Sequence, residues 1–170
     1  MRTASSHDWE SLIVGRTMPR PKVRWLLAAH WAALRVARAF VRDGLPSAVR
    51  VLEKATVHPE VHWRTSHLPE DARLFLAREV VWQARGLVRT LYGRRLCLFE
   101  SLTATAAVRT LGLPAQTVIG YATGFGAAAT PVHAWSAVGD VPVSDNQYVW
   151  QRYTEITRYP TAREDIPCPD

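Results

Sequence analysis

At Gly112-Leu113-Pro114 the chain changes its period. Before that point apolar residues recur at helical intervals, and Pro114 blocks any continuation of the last helix. After it, QTVIGY, VHAWSAV and VPV read as short strands, with Gly139-Asp140 as the turn between the last two and TGFGAAAT as the loop between the first two. Helices followed by an antiparallel meander make an α+β domain, with N-terminal helices packed on a small antiparallel sheet.

The helical part divides at its glycines and prolines. Residues 1–19 lack periodicity and read as a flexible arm. A helix is expected from Pro21 to about Arg42, stopped at Asp43-Gly44, with Leu27, Trp31, Leu34 and Val41 on one face and Arg35, Arg38 and Arg42 on another. A shorter helix is expected over 46–54. VHPEVHWRTSHLPED reads as a linker into a helix over 69–92 that Gly93 ends, and the next helix covers 97–111. The stretch from Tyr148 to Tyr159 either adds a last strand or packs over the sheet, and 160–170 reads as frayed. The organisation is thus an arm (1–19), a helical subregion (20–93) and a core carrying the sheet (94–160). With 170 residues, 48% of them apolar, these make one compact domain. The seven tryptophans are expected in core and groove, and Trp25, Trp31, Trp82 and Tyr92 as a core stripe.

Charge is unevenly placed: the chain carries +6, but it is strongly basic through residue 95 and net acidic afterwards. The arginines fall at helical spacing among apolar residues and form no compact cluster, which argues against a nucleic-acid partner. A solvated basic face or an acidic peptide or protein partner fits them better. Two cysteines are too few for a disulfide scaffold, so the thiols read as reduced and the protein as cytoplasmic. The longest apolar segment is interrupted by His30, Arg35 and Arg38, which argues against a membrane span. His58, His62 and His67 share a linker without a cysteine or carboxylate partner and do not make a metal site.

Cys97 opens the apolar run CLFESLTATAAVRTLGLP. A thiol in the first turn of a helix faces unpaired N–H groups and the positive end of the dipole, which favour thiolate; Arg94 and Arg95 act in the same direction. A lone cysteine in such a run is more often packed core, and so is a lone strand histidine. His133, however, begins the strand VHAWSAV, with Trp135 on its face as a wall for a groove, and two acids follow. With the turn at 139–140, an antiparallel return brings residue 145 or 146 opposite 133–135. Asp145, rather than Asp140, is therefore the acid that orients His133, with Asn146 as a weaker stand-in. Cys97, His133 and Asp145 form a candidate nucleophile, base and orienting acid.

The sequence CLFESL, GLPA, VIGY, HAW and VSDN, in this order and spacing, resembles the transglutaminase-like, papain-like cysteine peptidases of lasso-peptide biosynthesis, in the form where the leader peptidase is a separate protein. The resemblance implies that Cys97 attacks the leader–core junction of a ribosomally made precursor peptide without a cofactor. It also implies a small PqqD-like leader-recognition protein that delivers the precursor, and a lasso cyclase that closes the freed core; the basic helices before residue 93 are the expected docking place for that partner or the leader. A transglutaminase-like acyl transferase and a non-catalytic scaffold are the alternatives. The chain departs from the family at Glu100, where a basic residue is common, and at Phe99, where proline is frequent. Glu100 is expected to close a capping-box-like bond at Cys97 while its charge opposes thiolate formation.

Overall fold

In the computed structural model, which describes residues 23–55, 65, 67–123 and 130–161, the run that starts at Cys97 becomes the central helix. This helix, Cys97–Arg109, is buried without interruption from Phe99 to Val108. A helix buried on all sides needs partners for its polar side chains and neighbours all round it. Here they are the helices Val23–Asp43 (α1), Leu45–Glu53 (α2) and Glu70–Tyr92 (α3) and the strands Ala115–Ala122 (β1) and Val132–Val138 (β2). The central helix is α4. A two-residue strand, Val141–Pro142 (β3), a helical turn, Val149–Arg152 (α5), and a last strand, Tyr153–Tyr159 (β4), complete the order.

α1 ends as the sequence indicates, with Gly44 at φ 79°, but it buries a different face. Ala29, Ala33, Val36 and Ala37 are its buried residues, whereas Leu27, Trp31 and Val41 are 50% exposed or more. Small side chains at i, i+4 and i+8 let α1 lie close against α4, so size rather than hydrophobicity chose the contact. For the same reason the expected core stripe fails at Trp31 and at Trp82, which is 75% exposed. Trp135 is fully buried, and Trp9 and Trp63 lie outside the described residues. α3 starts after Pro69, carries Glu70 and Asp71 in its first turn and stops at Gly93, φ 73°, as the pattern indicates. One core cluster takes residues from α1, α3, α4 and Val143.

The sheet is antiparallel with strand order β3-β2-β1-β4. β1 pairs β2 with Gly120 opposite His133, and β3 pairs β2 with Val141 opposite Val138. β3 ends two residues in, one short of the expected VPV, and the 153–159 stretch adds a strand beside β1. The residues of the expected arm, residues 124–129 of the expected loop, His58, His62 and residues 162–170 of the tail expected to fray lie outside the described residues. Of the linker, Thr65 is buried and its hydroxyl donates to the Leu111 carbonyl at 2.8 Å, so that point of the segment belongs to the core.

Between α4 and the sheet runs a chain of buried hydroxyls. Ser136 Oγ donates to the Ser101 carbonyl at 2.9 Å and accepts from Thr105 Oγ1 at 2.9 Å. Since the Thr105 hydrogen is used there, Thr117 donates to Thr105 across 2.8 Å. Every hydroxyl of this set is paired, which is what makes polar groups tolerable in a core.

Candidate active site

The short β3 leaves one edge of β2 uncovered, and two separate segments occupy it. Ala134 points both backbone groups outward: its carbonyl accepts from Ser101 Oγ at 2.8 Å, and its N–H donates to the Cys97 sulfur. One step along, the Ser136 carbonyl accepts from Val143 N–H at 2.9 Å and its N–H donates to Ser144 Oγ at 2.7 Å. α4 and the 143–145 segment are thus both hung on the strand that begins with His133. The structure brings Cys97, His133 and Asp145 together in this way.

His133 Nε2 lies 2.7 Å from Asp145 Oδ2. With the carboxylate accepting, Nε2 carries the proton, and Nδ1 is left for the hydrogen bond between His133 and the Cys97 thiol. That bond, with the N–H groups of Ala134 and Leu98, outweighs burial and holds the Cys97 thiol below its ordinary range. The Asp145 bond, with that to Cys97, pushes the imidazole up to about 9. The bond from His133, helped by the Asn146 N–H at 2.8 Å and by Arg85, holds the Asp145 carboxyl down. The shifts of the three groups act together, which favours thiolate, imidazolium and carboxylate over their neutral forms. Cys97 is half-buried and free, and its own N–H heads the helix without an intrahelical acceptor.

Asp140 stands away from this cluster, exposed in the turn, where it binds Arg158 at 3.0 Å. Asn146 supplies a backbone N–H to Asp145 rather than a substitute side chain. Trp135 is not a groove wall: it is fully buried and stacks behind His133 with ring centroids 6.0 Å apart and planes at 24°. Tyr153 lies against the same imidazole at 5.1 Å. The Trp135 ring fits because residue 120 is glycine; a Cβ there would come within 2.8 Å of it.

Glu100 departs from expectation. It makes no cap bond at the start of α4 and is instead buried between two arginines of α3. Arg89 donates Nε to Oε1 at 2.8 Å and Nη2 to Oε2 at 2.7 Å; Arg85 donates Nε and Nη2 to Oε2 at 3.2 and 2.9 Å. Burial pushes the Glu100 carboxyl up, but these bonds outweigh it and hold it below its usual range. Its negative charge is met by two guanidiniums, so it does not stand unopposed beside the thiolate. Sequence reasoning missed this cluster, although a single acid in the first turns of a helix otherwise free of carboxylates and rich in apolar residues was a signal that a cation had to reach it. Arg95, in turn, is directed to the Tyr92 carbonyl at 2.9 Å.

A small cavity of about 40 Å³ lies among Cys97, Ser101, His133 and Asp145, and an open groove of about 990 Å³ along α3 shares Arg85, Ser144 and Asp145 with it. A cavity of about 320 Å³ between α1 and α2, lined by Trp25 and Trp31 among others, shares no residue with either. Among the described residues, no group of His, Cys, Asp and Glu could hold a metal ion, and no helix is long and apolar enough to cross a membrane.

A family model described as the transglutaminase-like superfamily matches residues 25–158, from α1 to the end of the sheet. No curated protein and no solved structure matches the chain.

Proposed function

The chain belongs to the transglutaminase-like superfamily, and we propose that within it the protein is a cysteine peptidase that removes the leader from a ribosomally synthesised lasso-peptide precursor. The observation that carries the reading is His133 held between the Cys97 thiol and the Asp145 carboxylate, with a 2.7 Å bond to the acid. Cys97 Sγ attacks the carbonyl carbon at the leader–core junction, and the charge moves to the carbonyl oxygen, where the Cys97 N–H stabilises it. As the C–N bond breaks, the imidazolium gives its Nδ1 proton to the leaving amine, which is the new N-terminus of the core. Water, deprotonated by His133, then attacks the leader thioester, and the thiolate leaves. Asp145 stays ionised throughout and keeps Nε2 protonated.

The groove that adjoins Asp145 along α3 supports a substrate that extends beyond one residue. In this reading a small leader-recognition protein delivers the precursor, and the freed core amine passes to a separate lasso cyclase. The test is to mix the protein with a lasso precursor and its recognition protein and follow the leader by mass spectrometry. Free leader should form with the native chain and not with Cys97→Ala; intact precursor with the native chain sinks the proposal. Membership in the superfamily favours acyl transfer as the second reading, in which an amine replaces water and a cross-linked product appears in place of two fragments. A scaffold without chemistry would tolerate Cys97→Ala.

A further inference from the structure

One guanidinium reaches two parts of the site. Arg85 binds Glu100, three residues after the thiol in α4, and also donates Nη1 to the Ser144 carbonyl at 2.8 Å, immediately before Asp145. We infer, on the triad reading above, that Arg85 is a positioning residue, which holds the Ser144–Asp145 segment so that the carboxylate meets His133.

β3 ends at Pro142, so no strand ladder fixes Asp145. The segment is attached to β2 by the N–H groups of Val143 and Ser144, which donate to the Ser136 carbonyl at 2.9 and 3.4 Å, and by Ser136 N–H, which donates to Ser144 Oγ at 2.7 Å. All three bonds come from one residue of one strand, and none of them engages the Ser144 carbonyl or the Asp145 N–H. The bond from Arg85 arrives from α3, a different element, and grips that peptide by its oxygen. Charge neutralisation of Glu100 does not by itself explain Arg85, because Arg89 already gives that carboxylate a bond to each oxygen. What Arg85 adds is the second direction of its fork, anchored on Glu100 at one side and on Ser144 at the other. An ammonium, with its charge on one atom and no rigid plane, does not reproduce that fork. Glu100 in this account is the post to which Arg85 is tied, which gives the family-atypical acid a purpose in this chain.

Alkylation of Cys97 by iodoacetamide as a function of pH tests this without a peptide substrate, using the full chain. The native protein should react at pH 6 far faster than an ordinary thiol, through its thiolate. Arg85→Met should cut that rate about tenfold or more, the effect of moving the thiol up by one pKa unit, and Arg85→Lys should not restore it. Arg85→Met with Glu100→Gln removes the buried charge, leaves Arg89 a partner and should still react slowly. In an Asp145→Asn background Arg85→Met should change the profile no further, because it acts through that carboxylate. Recovery of the native profile in the Arg85→Met, Glu100→Gln chain would reduce Arg85 to a counter-ion and overturn the inference, as would a native profile in Arg85→Met alone. An ordinary-thiol profile in the native chain would overturn the triad reading itself.

Discussion

His133 meets four side chains: Cys97 and Asp145 through hydrogen bonds that raise its pKa, and Trp135 and Tyr153 through ring contacts. Its imidazole should titrate near pH 9 in an NMR experiment and fall toward 6.5 in Asp145→Asn, since the aspartate bond is the largest cause of the rise. A value unchanged by that substitution would place the cause elsewhere. Because the folded value lies above the unfolded one, the pair stabilises the fold fully below about pH 6.5 and loses that contribution as pH rises through about 9. The thiol titrates with the opposite sign, so the comparison is best made in Cys97→Ala. Its urea midpoint should fall as pH rises above 6.5, and Asp145→Asn should flatten that fall. Glu100 makes a second residue-scale prediction. Replacing Arg85 and Arg89 together by methionine leaves a buried carboxylate unpaired and should cost ~3 kcal/mol in urea denaturation. If stability is unchanged, the two arginines are surface cations and not the partners of a buried acid.

At the scale of elements, the site depends on how α4 and the sheet are kept in register. Ser136 is joined to α4 through its hydroxyl and to the 143–144 segment through its backbone. Ser136→Ala removes the hydroxyl and leaves the Thr105 hydroxyl and the Ser101 carbonyl short of a partner, at a cost of about 1–3 kcal/mol by urea denaturation. Gly120→Ala sets a methyl 2.8 Å from the Trp135 ring and 3.0 Å from the Thr154 carbonyl, and overpacking of this kind costs about 1–3 kcal/mol. It should also slow alkylation of Cys97, since the displaced ring lies behind His133. A variant as stable and as reactive as the native chain would show that Trp135 does not support the imidazole. Much at this scale was legible in the sequence. Gly44, Gly93 and the turn at 139–140 mark real ends, and turn position with antiparallel pairing aims the 143–145 segment back toward His133, although the ladder itself stops at Pro142. The buried face of α1 was not legible, because hydrophobicity points to Leu27 and Trp31 whereas close approach to α4 demands Ala29, Ala33 and Ala37. The arginine pair that answers Glu100 comes from another helix, and such a pairing has no periodic signature.

Across the whole molecule, the arginines of the basic first half fall into two sets. Arg85 and Arg89 are committed to the buried Glu100, while Arg35, Arg38 and Arg42 face solvent on α1. Reversing Arg85 and Arg89 would therefore damage the core and could not report on a docking surface. Arg35→Glu with Arg38→Glu is the suitable pair. On the proposal that an acidic partner docks on these helices, it should weaken binding of the recognition protein and remove its dependence on salt, with Cys97 alkylation unchanged. Unaltered binding would remove α1 from the interface. The central claim, that Cys97 carries the leader as a thioester, is tested most directly by rapid quench of the protein with precursor and recognition protein, followed by intact-mass measurement. The account predicts a transient adduct equal to the leader acyl group on the native chain and none on Cys97→Ala. Leader release that proceeds in Cys97→Ala, without any adduct on the native chain, would contradict it.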